Sequence, residues 1–128
     1  MKTSEQIKAF TDFLKQAEMD YKSAYAVVNV EDKRGQDILH AIEFEGSYKE
    51  RCRLATKLKE SRVERRKNKD TVEELQPVMD FVQDPRHKKT LDQLSQLLGA
   101  VRREENYHRN RSYRPRVEDG GKKNGRQN

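Results

Sequence analysis

The chain has 128 residues, close to one ordinary domain; 32% are hydrophobic and 39% charged, and 28 Lys and Arg against 22 Asp and Glu leave a net charge of +6. Leu, Ile, Val and Phe supply 25 of the 128 positions, about a fifth, which is the margin at which sustained order becomes doubtful. These figures exclude a large enzyme core, a membrane protein and, with Cys52 as the single cysteine, a disulfide scaffold.

The first segment, residues 1–48, is net −3 with 6 basic and 9 acidic side chains. Thr3 and Gln6 have capping-box spacing, and Ile7, Phe10, Leu14, Ala17, Tyr21, Tyr25 and Val28 follow at helical intervals of three or four. Residues 25–30 also have strand character, with a partner at 37–45 across the turn-like Lys33-Arg34-Gly35, so a short hairpin at 25–45 in an α+β fold is the alternative. Helix is preferred for both stretches: Ile38, Leu39 and Ile42 share one face, and Gln36 and Asp37 suit a first turn.

Gly46 breaks that segment, and Ser47 with Glu50 forms a second capping box at the head of a long helix. Its predicted seam reads Leu54, Leu58, Ser61, Arg65, Asn68, Val72, Leu75, Met79 and Val82, a heptad-like coiled-coil pattern that is apolar at both ends and polar in the middle. Pro77 should kink or split this helix, with Thr71 and Glu74 offering a fresh cap. Asp84-Pro85 reads as a turn, after which Leu91, Leu94, Leu98 and Val101 form a further stripe. A short turn between two stripes predicts an antiparallel pair, with Val72–Val82 against Leu91–Val101 and with Glu104 and Glu105 near Arg62, Arg65 or Arg66. Residues 118–128 contain no apolar residue and three glycines, the composition of a disordered segment.

The expected fold is therefore all-α, an antiparallel helical hairpin or small bundle with a disordered basic tail. Its segments are an N-terminal helical part (1–46), a long helical hairpin (47–112) and a flexible tail (113–128). With no apolar run of membrane-spanning length and no signal-like stretch, the expected location is the cytoplasm.

Catalytic and metal patterns are missing. His40, His87 and His108 are scattered, with no HExxH or CxxC spacing, no glycine-rich phosphate loop and no nucleophile elbow. Asp37, His40 and Glu43 share a helix face, where a polar edge is the plainer reading than acid–base chemistry. Cys52 reads as a half-buried small residue. No enzyme, cofactor or metal is expected.

The positive signal is charge. Residues 49–69 are net +7 and residues 102–128 net +5, whereas residues 70–101 are net −3. Arg62, Arg65, Arg66, Lys67 and Lys69 form one basic tract; Tyr107, Arg109, Arg111, Tyr113, Arg114 and Arg116 form another, in which guanidinium groups alternate with rings. Cations neutralise phosphates and rings stack on bases, so these are the candidate nucleic-acid contacts, and the α-hairpin would bring them to one end. A solvated helix face with a basic tail is the plainer reading of the same charges.

The strings at 36–43 (QDILHAIE), 65–70 (RRKNKD) and 111–117 (RSYRPRV) resemble those of small orphan proteins of bacteriophages and prophages of Gram-positive bacteria, over roughly residues 20–117. The resemblance implies a viral accessory context, in which small proteins handle DNA or disable a host system, and it implies no catalytic residues. Two functions are then expected: a non-enzymatic protein binding DNA or RNA, or an inhibitor of a host defence or replication enzyme, such as an anti-CRISPR protein, gripping an acidic or nucleic-acid-binding surface. The seam's polar middle also admits a homodimer.

Overall fold

The structure, a computed structural model, describes residues 1–113, 115–117 and 126–127. Helix α1 spans Thr3–Phe44, α2 spans Tyr48–Gln83, a 3-10 turn covers Pro85–His87, and α3 spans Lys88–Asn110. Ser112–Tyr113 (β1) pairs antiparallel with Arg126–Gln127 (β2), a ladder of two residues a side. The all-α expectation holds. The strand hairpin at 25–45 is overturned, because α1 runs unbroken through those residues to Phe44. Most of the tail expected to be disordered lies outside the described residues.

The chain forms two compact units, Phe13–Pro85 and Met1–Asp12 with Arg86–Asn128, so residues 47–112 contribute to both. In the first unit α1 and α2 make the hairpin. The Tyr21 hydroxyl donates to Gln76 Oε1 at 2.6 Å, Ser61 Oγ donates to Glu31 Oε2 at 2.6 Å, and Arg65 Nε donates to Asp32 Oδ1 at 2.5 Å. Numbers rise along α1 as they fall along α2, which is an antiparallel register. It sets Ala24 across from Val72 and Ala17 across from Met79, small against large, and all four are buried.

Every seam position predicted on α2 is buried or half-buried. On α1 the stripe differs at two positions: Phe10 and Tyr25 are 48% and 50% exposed, and the seam passes through Thr11 and Ala24 instead. Gly35, expected in a turn, is a buried seam residue, and a Cβ there would lie 3.9 Å from Leu58 Cδ1 and Arg62 Cζ. The ~1 kcal/mol that a helical glycine costs is outweighed by burial along the whole seam.

At the α1–α2 loop, Ser47 accepts the Glu50 N–H at 3.4 Å, one arm of the expected capping box. The other arm belongs to Glu45, whose Oε1 takes the Ser47 N–H at 3.0 Å while Glu50 pairs with Arg53. Arg51 Nη1 donates back to the Glu45 and Gly46 carbonyls and closes the turn.

Helix α2 passes through Pro77 undivided. Thr71, the expected fresh cap, donates back to the Lys67 carbonyl at 3.3 Å inside the helix. Pro77 lies on an exposed face, so its ring removes one helical hydrogen bond without filling a core site. Pro77→Ala should raise stability by about 1–3 kcal/mol, seen as a higher Tm; an unchanged or lower Tm would show that the local geometry already relieves the clash.

In the second unit Glu105 of α3 caps α1. Its Oε2 accepts the Ser4 N–H at 3.2 Å, while Glu5 takes the Lys2 N–H at 3.1 Å. The expected Thr3–Gln6 box is thus replaced by a carboxylate from another helix, which satisfies a free N–H and meets the positive end of the helix dipole. Hydrogen bonds from the Ser4 side chain and then its backbone, with smaller help from Lys2 and Arg102, hold the Glu105 carboxyl below its ordinary value of 4.5. A lowered acid favours the fold when ionised, so this contribution is complete at neutral pH and is lost as pH falls from that value through the folded-state one. Glu105→Gln should therefore lower Tm at neutral pH and match the wild type in strong acid; a difference that persists in acid would assign the effect to shape rather than charge.

Candidate nucleic-acid interface

Four cations on α2, Lys59, Arg62, Arg66 and Lys69, recur at spacings of three and four residues and so form one stripe flanking the seam. Lys59, Arg62, Arg66 and the neighbouring Lys67 are exposed, and Lys69 is half-buried. Among the described residues none of these five pairs with a carboxylate. Some other helix cations are held locally, Lys8 by Asp12 at 2.5 Å, Lys22 by Glu18 at 2.9 Å and Arg53 by Glu50 at 2.8 Å. Glu64, an acid inside the basic tract, instead accepts from the Asn68 amide at 3.1 Å.

Arg65 has a different role from its neighbours. Its guanidinium bonds Asp32 and its side chain is 25% exposed, so it sits in the polar layer of the hairpin. In that layer Glu31 is 5% exposed and accepts from Ser61 Oγ and, at 2.6 Å, from Arg34 Nη1. A buried carboxylate needs these donors, and pairing Glu31 and Asp32 with Ser61 and Arg65 penalises other registers. Ser61→Ala should cost about 1–3 kcal/mol in denaturant unfolding because it leaves the carboxylate one donor short; Glu31→Leu in the same chain should restore part of that loss.

Within its own unit, Arg65 pairs with Asp32 of α1. In the other unit the Glu105 carboxylate accepts the Ser4 N–H, and Glu104 lies 3.5 Å from His108 Nε2, one turn along α3.

The second basic tract begins at the end of α3. Tyr107 is 63% exposed and meets the His108 ring edge-on at 5.5 Å. Arg109 hydrogen-bonds Asn106, and Arg111 Nη1 lies 3.0 Å from His108 Nδ1. Tyr113 is 53% exposed within β1, and Arg116 is exposed. Arg114 lies outside the described residues. The two tracts belong to different units.

Sequence reasoning missed an aromatic pair beside the α2 stripe. Tyr21 and Tyr25, assigned to the core stripe, have ring centroids 5.9 Å apart, with Tyr25 half in solvent. The missed signal was Ala24, which continues the three–four alternation from Tyr21 to Val28 and leaves Tyr25 on the flank.

Among the described residues no three His, Cys, Asp or Glu side chains gather as metal ligands, and no helix is long and apolar enough to cross a membrane. His40 Nδ1 lies 3.8 Å from Glu43 on an exposed face, and Cys52 is exposed rather than half-buried. Compared with protein-family models, curated proteins and solved structures, the chain matches none.

Proposed function

We propose that this protein is a non-enzymatic nucleic-acid-binding accessory protein of a bacteriophage, acting in the host cytoplasm. The observation that carries the binding role is the run of unpaired cations on one flank of α2, Lys59, Arg62, Arg66 and Lys69 with Lys67 beside them. An ion-paired guanidinium must give up its partner to bind phosphate, whereas these are free to displace counterions directly. Arg109, Arg111 and Arg116, with Tyr107 and Tyr113, supply further cations and rings. Arg65 supports the site by fixing the hairpin that presents the stripe. Labelled DNA and RNA oligonucleotides should bind at low salt and dissociate as salt rises; no binding of either at low salt would refute the role.

A second reading, an inhibitor that docks on a host protein, is favoured by the hairpin tip, where Phe44 and Tyr48 are 82% and 75% exposed. Aromatic residues of this kind anchor interfaces. Affinity capture from host lysate separates the two readings: a stoichiometric protein retained after nuclease treatment supports docking, and capture that nuclease abolishes supports nucleic acid.

A further inference from the structure

We infer that the hairpin face binds single-stranded nucleic acid, with Tyr25 as a base-stacking platform at one end of the α2 cation stripe. This rests on the nucleic-acid reading above and names the substrate class of that site.

The register brings the groups together. Tyr21 meets Gln76 and Asp32 meets Arg65, so Tyr25 and Asn29, between Tyr21 and Asp32 on α1, lie opposite the stretch of α2 between Arg65 and Gln76 that carries Lys69. Further along the same flank, Arg62 lies against Gly35. From Arg62 to Lys69 the cations rise about 10 Å along the helix, a short track for a phosphodiester backbone. It ends where Asp70, Glu73 and Glu74 begin, so a strand following it leaves the charge at the level of Tyr25. The Asp32 carboxylate is neutralised by Arg65, and Glu18 on α1 is paired with Lys22, which leaves neither free to repel a strand.

At that point α1 offers a surface for a base. Tyr21, Lys22, Tyr25, Ala26 and Asn29 line an open concavity of about 420 Å³. Tyr21 supports one side of the Tyr25 ring and is itself anchored through its hydroxyl on Gln76. A ring held in place loses little entropy when a base stacks on it, and the Asn29 amide provides both a donor and an acceptor for a base edge. Bases in a duplex are already stacked on one another, so only a single strand can present one to this ring.

The test uses the full chain with a labelled thymidine oligonucleotide and a duplex of equal length, comparing wild type, Tyr25→Ala and Tyr25→Phe by anisotropy at one salt concentration. Tyr25→Ala should weaken single-strand binding about 5- to 100-fold. Tyr25→Phe should retain that binding, and duplex affinity should be equal in all three. Unchanged single-strand affinity in Tyr25→Ala, or an equal loss on duplex, overturns the stacking role and leaves the nucleic-acid reading intact. Failure of the wild type to bind either probe overturns both. Matching circular dichroism melts show whether each variant is folded, and a retained melt with lost single-strand binding supports the assignment.

Discussion

Met79→Ala should destabilise the chain by about 2–5 kcal/mol, the largest stability loss expected from a single substitution here. Met79 is 2% exposed and is the one large side chain among the described residues that is fully buried. The register sets it over Ala17, so the truncated side chain leaves a gap opposite a residue too small to fill it. Among the described residues the other buried apolar groups are Ala17, Ala24, Val28 and Val72, four small side chains with little bulk to relax into the gap. Met79→Leu conserves volume and should cost less than about 1.5 kcal/mol. Urea unfolding monitored by helicity measures both; equal, small losses would mean that the α1–α2 seam is not the main source of stability.

The second large effect is on binding. Neutralising Arg62, Arg66 and Lys69 together as glutamine should leave helicity and Tm nearly unchanged, because these side chains make no ion pair among the described residues and lie beside the seam, not on it. The same variant should lose about 100-fold or more in nucleic-acid affinity at low salt, since each phosphate contact contributes through released counterions. Arg65→Gln should behave in the opposite way. Its guanidinium holds Asp32 in a half-buried pair, so its loss should lower Tm while the salt dependence of binding stays near that of the wild type. The contrast between neighbouring arginines distinguishes an interface from general loss of positive charge.

Much of the architecture can be read from spacing. The α2 seam is legible through its polar middle because Ser61, Arg65 and Asn68 keep the three–four alternation of the apolar residues around them. Periodicity does not tell which helices pair, since α1, α2 and α3 all carry seams of the same spacing. Complementary polar groups bear on that choice: Glu31 and Asp32 on α1 meet Ser61 and Arg65 on α2. The unbroken α1 is illegible for a local reason, because Lys33-Arg34-Gly35 has turn composition, yet Gly35 sits inside the helix at a buried seam position where an added Cβ would make only ordinary contact with Leu58 and Arg62.

The candidate site is half legible in the same way. Charge blocks identify both basic tracts, but they do not separate Arg65, bonded to Asp32, from Arg62 and Arg66, which are exposed and unpaired among the described residues. Nor do they reveal Tyr25, whose exposure depends on the seam choosing Ala24.

In the proposed function, phosphates are met by the unpaired cation stripe of α2. The most direct measurement is the slope of log affinity against log salt for a single-stranded oligonucleotide, in wild type and in the Arg62, Arg66 and Lys69 triple glutamine variant. Each lost phosphate contact should remove about 0.7 from the slope, so the triple variant should be shallower by about 2. Equal slopes in two folded proteins would place the phosphate contacts elsewhere and contradict the account.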